Sequence, residues 1–281
     1  MLTAIQYAER DTLVQRLDMR SRLIFYGCFV ISVLLFWDLR VLSVFLGLAL
    51  AAVLAARLPW RETRRAWLAI LGVITFYAAL TLFVGPINQG GGQNVRPLMT
   101  LQAPFSILGW QPSVSVSVES VFYACSMFVR ILSISALTIL IPFTFDPALY
   151  GVAFHQLGLP DKLAFALDLT LRFVPTLSRD FGQTIDAQRA RGYELEAREG
   201  GLTGRIRRLA PLLVPVVIHS IVDGEEITDA MDLRAFGTQR RTWLRTLHYA
   251  RRDHALIAFS LAMLAVSIAL RMAGLGGFWA P

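Results

Sequence analysis

Residues that could catalyse a reaction or bind a nucleotide are few in this sequence. A P-loop needs a Gly-rich segment of the form GxxxxGK[ST], but the single lysine, Lys162, follows the residues GLPD and does not fit. Cys28 and Cys125 lie in apolar runs, with no CxxC pair and no histidine at ligand spacing. We therefore expect no catalytic residue, no metal site, no cofactor and no enzyme activity. No role is predicted for the isolated histidines His155, His219, His248 and His254.

Arginine is the more informative residue type. Residues 176–191 carry an apolar stripe opposite charged and polar residues, which predicts an amphipathic helix. That helix is predicted to end at Ala190, Arg191 and Gly192. A single such end is an ordinary helix stop, because Arg complements the C-terminal dipole and Gly accepts the left-handed conformation.

The pattern nearly recurs about 43 positions later. Asp223 and Glu226 have the spacing of an N-cap and its reciprocal partner, so a second helix is predicted to begin there. It is predicted to end at Leu233, Arg234 and Ala235. Two amphipathic helices that each end in an arginine beside a small residue predict a paired docking surface, in which each arginine reaches into a groove of a partner.

Two further arginines lie in apolar surroundings and are candidate structural or coupling residues. Arg130 lies in mid-span, where an unpaired charge costs at least about 2.5 kcal/mol, so its side chain must face protein or water. An internal salt bridge is slightly favoured there over a contact to a partner or a packing lock within the bundle. Arg172 lies nearer the membrane surface, where snorkelling is easy, and a structural role is favoured.

The elements that must position these residues are membrane helices. The chain is 55% hydrophobic and 17% charged, whereas soluble domains have about 25% charged residues. A helix needs about 20 apolar residues to cross a bilayer, and the arginines flank the apolar runs as orientation signals do, which argues against nucleic-acid binding. We predict an all-α, polytopic membrane protein with about five transmembrane helices, at residues 22–37, 41–56, 66–86, 120–141 and 255–273.

The arginine distribution also predicts the topology and the domains. Both ends of the first helical hairpin are expected in the cytoplasm, and residues 86–112 are expected to form an external loop. Domains are predicted at 1–141 for the N-terminal spans, 142–254 for a cytoplasmic or interfacial coupling region, and 255–281 for the C-terminal span. Five prolines are expected to break the coupling region, at positions 147, 160, 175, 211 and 215. Its two short apolar stretches, 163–175 and 209–222, are expected to be partly buried at the membrane surface.

At the two arginine motifs the chain resembles the T component of energy-coupling factor (ECF) importers. That family is marked by two Ala-Arg-Gly motifs at the ends of cytoplasmic coupling helices. Residues 186–193 match the first motif closely, and residues 229–237 match the second in its frame and its arginine. The second motif departs from the family by Leu233 for Ala and Ala235 for Gly, and Gly237 is expected to supply the missing flexibility.

Two other segments extend the resemblance over most of the chain. Residues 17–23 resemble the family's Leu-Asp-Pro-Arg-x-Lys-Leu segment, with Met19 for Pro and Arg22 for Lys. Residues 171–175 are similar to its Arg-Phe-Ile-Pro segment.

The resemblance implies a function. The chain is expected to couple two cytoplasmic ABC ATPase subunits to a substrate-binding membrane S component, for uptake of a vitamin or a metal ion such as cobalt. It is expected to span the bacterial or archaeal cell membrane several times. The implied ATPase-binding residues are Ala190, Arg191, Gly192, Leu233, Arg234 and Ala235. The alternatives are a self-sufficient secondary transporter or channel, which would be expected to keep acidic groups at membrane depth, and a polytopic membrane enzyme.

Overall fold

The fold is helical apart from one short pair of strands. The structure is a computed structural model that describes residues 12, 14–84, 97–102, 113–193, 201–238 and 243–274. Within that part, the helices are α1 (Met19–Leu35), α2 (Leu39–Ala55), α3 (Trp60–Val84), α4 (Val118–Thr138), α5 (Leu140–Thr144), α6 (Tyr150–Gln156), α7 (Asp161–Ala190), α8 (Gly201–Leu233) and α9 (Arg251–Met272). A 3-10 turn, Pro147–Leu149, precedes α6. The predicted all-α membrane class is confirmed.

Helices lie at all five predicted spans. In the described part of the chain, three helical stretches are long and apolar enough to cross a membrane: Trp60–Thr81, Val121–Thr144 and Arg251–Met272. The helix Leu39–Ala55 is apolar but shorter, and α1 is not among the candidates. By length and composition, the structure therefore supports three of the five predicted spans, and not those at 22–37 and 41–56. The predicted turn between the first two helices is also present, and Asp38 caps α2 by accepting a hydrogen bond from the Arg40 amide at 3.0 Å.

The strands lie within and beside the segment that was expected to be a loop. Strand β1 (Pro97–Gln102) pairs antiparallel with β2 (Ser113–Ser117), with Thr100 opposite Ser115. The sequence of β2, Ser-Val-Ser-Val-Ser, alternates with the period of a strand and contains β-branched valines. This signal was missed, and the rest of the predicted loop lies outside the described residues.

Helices α7 and α8 are continuous where breaks were expected. Pro175 lies inside α7, a helix of 30 residues, and Pro211 and Pro215 lie inside α8, a helix of 33 residues. An internal proline removes one backbone hydrogen bond and kinks a helix, but long flanking turns keep the remaining bonds. The expected breaks at these three positions are therefore wrong, and the two short apolar stretches are parts of long helices. Asp223 also lies inside α8 and does not begin a helix.

The chain divides into two compact units. The first, which we call the membrane unit, comprises Gln6–Phe145 and His248–Pro281 and contains the three candidate spans. In it α1 packs against α9, and α2 and α3 both pack against α4. Large apolar side chains on α3 and α9, such as Phe76 and Val266, are exposed, as expected of surfaces that face hydrocarbon.

The second unit contains Asp146–Leu247, and we call it the α7–α8 unit. Helix α6 approaches α7 closely at Gly151, where a Cβ atom would lie 2.6 Å from the Cβ of Asp168. His155 lies against the start of α7, with its Nδ1 2.8 Å from Oδ1 of Asp161. The ring of Trp243 stacks on His155 with the ring centres 5.1 Å apart. His155 therefore has a structural role in this unit.

Candidate functional site

The first arginine motif ends α7 in a Schellman motif. The amide of Tyr193 donates to the carbonyl of Gln188 at 3.0 Å, and the amide of Gly192 donates to the carbonyl of Arg189 at 2.9 Å. Gly192 has a φ of 80°, the left-handed conformation that this motif requires after the helix cap. Arg191 is the cap residue itself. The predicted helix stop is therefore present, with Arg191 at its last position.

The second motif ends α8 in the same way. The amide of Phe236 donates to the carbonyl of Met231 at 3.0 Å, and the amide of Ala235 donates to the carbonyl of Asp232 at 2.9 Å. Ala235 itself has a φ of 51°, so it takes the position that glycine holds in the first motif. Arg234 and Arg191 thus occupy the same position in the same hydrogen-bonded motif.

The flexibility expected of Gly237 stays a prediction, and the turn itself is made by another residue. Gly237 does have a positive φ, of 88°, but it lies beyond the bonds that close α8. Ala235 makes the turn although an L-residue in the left-handed region costs roughly 1–2 kcal/mol. A tertiary contact helps to hold this helix end, because the rings of Phe236 and Phe165 lie 4.5 Å apart between their centres. The substitution of Gly by Ala in the second motif therefore leaves its backbone geometry intact.

The side chains at both helix ends are open to a partner. Ala190, Arg191, Gly192, Arg234 and Ala235 are all exposed. A positive charge at a helix C-terminus is favoured by the helix dipole, so folding holds both arginines where they are exposed. The first motif presents only small neighbours beside its arginine.

The second motif adds an apolar side chain to its surface. Leu233, the residue at the position of Ala190, is 89% exposed. Within the described part of the chain, this side chain is therefore left at the surface. The two motifs therefore share a backbone and differ in the surface beside the arginine.

A groove runs between the two long helices upstream of these ends. It encloses about 560 Å³. Phe173, Leu177 and Asp180 of α7 line it, together with Ser220, Asp223 and Ile227 of α8. The groove therefore separates the facing side chains of α7 and α8 along this stretch.

Arg130 is held by a carbonyl group and a ring. Its side chain is buried and donates a hydrogen bond to the carbonyl of Phe36, the residue that caps the C-terminus of α1. Its Cζ also lies 4.0 Å from the centre of the Trp37 ring, and Trp37 stacks on Tyr123. A helix C-terminus offers carbonyls without intrahelical donors, and an aromatic face attracts a cation. Among the described residues, the contacts of the Arg130 side chain are this carbonyl and this ring, and its role as a structural or coupling residue stays a prediction.

Arg172 is a surface residue of α7. It is exposed, and it borders a small cavity with Phe173 and Ile227. The structural role favoured for it remains a prediction.

A buried polar cluster at the start of α1 was missed. Arg20 and Arg22 belong to the arginines that flank the first predicted span, which we interpret from the sequence as orientation signals, but both are buried. Asp253, at the start of α9, is only 2% exposed and accepts hydrogen bonds from the amide of Asp18 at 2.7 Å and the hydroxyl of Ser21 at 3.1 Å. An acidic residue at the edge of an apolar span, as in Arg251-Arg252-Asp253, is the sequence signal that could have revealed the cluster.

Comparison with known proteins gives a consistent result over nearly the whole chain. The family model described as CbiQ, cobalt transport protein, matches residues 10–244. The energy-coupling factor transporter transmembrane protein EcfT of Bacillus selenitireducens is 30% identical over 276 residues, which cover 96% of this chain and 97% of the relative. The proteins of the same name from Lactobacillus helveticus and Bacillus subtilis are 27% and 26% identical, over 95% of this chain and 92% and 97% of their own lengths.

The family assignment rests on this coverage together with the fold. The family model spans far more than half of the chain, and the relatives match it end to end. The apolar helices at the predicted spans agree with a multi-pass protein of the cell membrane. The chain therefore belongs to the CbiQ family, the transmembrane (T) components of energy-coupling factor transporters.

Proposed function

We propose that this chain couples two cytoplasmic ABC ATPase subunits to a substrate-binding membrane S component, and that Arg191 and Arg234 each bind a groove of one ATPase subunit. The observation that carries the proposal is the identical geometry of the two helix ends. Both arginines cap long helices in the same Schellman motif, and both are exposed. Two matching, outward-facing cations suit two ATPase subunits of the same fold.

The mechanism follows from the length and the packing of the two helices. At about 1.5 Å per residue, α7 and α8 are roughly 45 and 50 Å long, so a displacement at the arginine end moves a whole helix. The groove between them gives each helix room to shift against the other. Coupling needs packed elements with two discrete arrangements, and the internal prolines are the positions where such helices bend. ATP-driven closure of the ATPases would then reshape the membrane face that holds the S component.

ATP chemistry belongs to the ATPase partners in this proposal. The sequence has no P-loop lysine, since Lys162 lies in the first turn of α7. In the proposed arrangement, the region 142–254, including both helix ends, would lie in the cytoplasm or at the membrane interface.

A self-sufficient secondary transporter is the less favoured function. Such a protein would be expected to carry acidic side chains at membrane depth. In the three candidate spans of the described chain, the acidic residues are Glu62 and Asp253. Both lie in the first turn of their helices, and Asp253 is occupied by backbone and hydroxyl donors. Neither is placed to carry an ion through the bilayer.

The test is a double charge reversal, Arg191→Glu with Arg234→Glu. A glutamate at an exposed helix C-terminus costs only about 0.3–1 kcal/mol, so the chain should insert and fold. The ATPase subunits should no longer co-purify with it, and ATP-driven uptake by vesicles holding the complex should stop, with radioactive cobalt(II) as the first cargo tested.

A matched control is Arg179→Glu with Arg189→Glu, two exposed arginines of α7 outside the cap positions. This control should keep the ATPases bound. Normal assembly and uptake in the Arg191→Glu/Arg234→Glu variant would refute the proposed function.

A further inference from the structure

The chain leaves the membrane unit after Phe145 and returns to it at His248. The first of these crossings begins where α5 ends, at Thr144. Nη1 of Arg22 donates to the carbonyl of Thr144 at 2.9 Å, and its Cζ lies 4.6 Å from the centre of the Phe145 ring. One side chain of α1 thus holds the last two residues before the chain departs.

The returning crossing is held from the same turn of α1. The Cζ of Arg20 lies 3.7 Å from the centre of the Tyr249 ring, the second residue after the return. Both oxygens of Asp18 accept from the Arg20 guanidinium, at 3.2 and 2.9 Å, which fixes its plane. Four residues further on, Asp253 accepts from Asp18 and Ser21. It also accepts from the amide of Ala250 at 2.8 Å, so both its oxygens are engaged.

These contacts lie in the interior of the unit. Arg20 and Arg22 are 5% and 7% exposed, and Ser21 is fully buried. Hydrogen bonds in the low-dielectric interior are electrostatically stronger than those in water, so the buried bonds of Nη1 of Arg22 and of the Asp253 carboxylate stiffen the structure around them. The contacts also join positions far apart in the sequence, 122 residues for Arg22 with Thr144 and 235 residues for Asp18 with Asp253. One turn of helix therefore holds the two places, within the described part of the chain, where the backbone passes between the membrane unit and the α7–α8 unit.

We propose that residues 18–22 and Asp253 form a crossing anchor, which positions both connections so that movement of the α7–α8 unit enters the membrane unit at fixed points. The proposal rests on the proposed function, because it assigns these residues a part in coupling. A loose connection absorbs a displacement within itself, whereas a fixed one passes it on. Arg20, Arg22 and Asp253 are positioning residues in this role and bind neither an ATPase nor cargo.

The test uses the whole complex with its ATPases and needs no knowledge of the cargo. Arg22→Met removes the donor to Thr144 and keeps the bulk of the side chain, and Asp253→Asn removes the charge at the returning crossing. Arg64→Met is the matched control, since Arg64 is an exposed arginine of α3. Amide hydrogen exchange is measured with and without ATP and vanadate, together with the rate of ATP hydrolysis.

In the wild type and in Arg64→Met, ATP with vanadate should change exchange in both units. In Arg22→Met and Asp253→Asn, the change in the α7–α8 unit and the rate of ATP hydrolysis should persist, while the change in the membrane unit should fall at least about fivefold. An unchanged response of the membrane unit in both variants would overturn the proposal.

A second measurement separates a role in coupling from a purely structural role, and the proposal predicts its result. Without nucleotide, the isolated chain carrying Arg22→Met should exchange faster only near residues 143–149, and Arg22→Lys, which keeps a donor, should restore part of the protection. Faster exchange throughout the membrane unit would mean that the cluster only supports folding, and would also overturn the proposal. A different result would refute the proposed function. In that case the ATPase subunits would bind whether or not Arg191 and Arg234 are present.

Discussion

The ends of α7 and α8 have the same backbone and different side chains. Each closes with the same pair of amide-to-carbonyl bonds around an arginine cap, yet the left-handed residue is Gly192 in one and Ala235 in the other. The residue before the arginine is Ala190 in the first and the exposed Leu233 in the second. The comparison shows that the same hydrogen bonds form at both helix ends, with glycine or with alanine in the left-handed position. Glycine only lowers the free-energy cost of the left-handed conformation. The side chains are then free to differ between two docking sites.

The largest effect should come from removing each arginine alone. If each is a hydrogen-bonded charge in an ATPase groove, truncation should cost about 2–5 kcal/mol, roughly 30-fold to several-thousand-fold in affinity. Arg191→Ala should cost more than Arg234→Ala, because the small neighbours of Arg191 allow a closer approach. The check is titration of the purified chain with its ATPases. Equal losses would show that the two sites are equivalent despite their different surfaces.

Exchanging the left-handed residues should shift stability in opposite directions. Gly192→Ala imposes the cost of roughly 1–2 kcal/mol for an L-residue in this conformation, offset by the lower entropy of alanine in the unfolded chain, about 0.4–1 kcal/mol. We expect α7 to lose, and α8 with Ala235→Gly to gain, on the order of 1 kcal/mol. Amide exchange in the last turn of each helix measures both. A loss at α8 would mean that Ala235 is not strained there.

The smallest effect on folding should come from Leu233→Ala. A side chain that is 89% exposed loses little burial, so stability should change by no more than about 0.5 kcal/mol. Binding of the ATPase at the second site should weaken, because an exposed leucine that becomes buried contributes about 1.5–3 kcal/mol. Ala190→Leu is the reciprocal variant and should hinder the first site. No change in ATPase affinity for Leu233→Ala would show that Leu233 does not contribute to ATPase binding at the second motif.

The parts of the fold with strong local patterns were predicted from the sequence. Long apolar runs predict the three helices that contain candidate membrane spans. An Arg-Gly pair at the end of an amphipathic stripe predicts where α7 ends. The helix breaks expected at the internal prolines do not occur. The local cost of a proline is visible in the sequence, whereas the many remaining hydrogen bonds of a 30-residue helix are not. The role of Ala235 was missed because alanine gives no sign of a left-handed conformation.

Residues that depend on distant partners could not be predicted. Asp253 contacts Asp18 across 235 positions, and Arg130 finds its acceptor in a helix cap 94 positions away. The position of Asp253 at the edge of an apolar span is a local sign of its cluster but does not name the partner, and nothing local distinguishes Arg130 from a salt-bridged arginine. The helix-end arginines, by contrast, are marked by their immediate neighbours.

The internal prolines of α7 and α8 also bear on the surroundings these helices tolerate. Pro175, Pro211 and Pro215 have no amide hydrogen, so the carbonyls four residues before them lose their usual donors. Water satisfies such a carbonyl at little cost, whereas hydrocarbon leaves it unsatisfied at several kcal/mol. The two helices therefore need hydration or a protein donor at these turns, so bare hydrocarbon around them would be unfavourable.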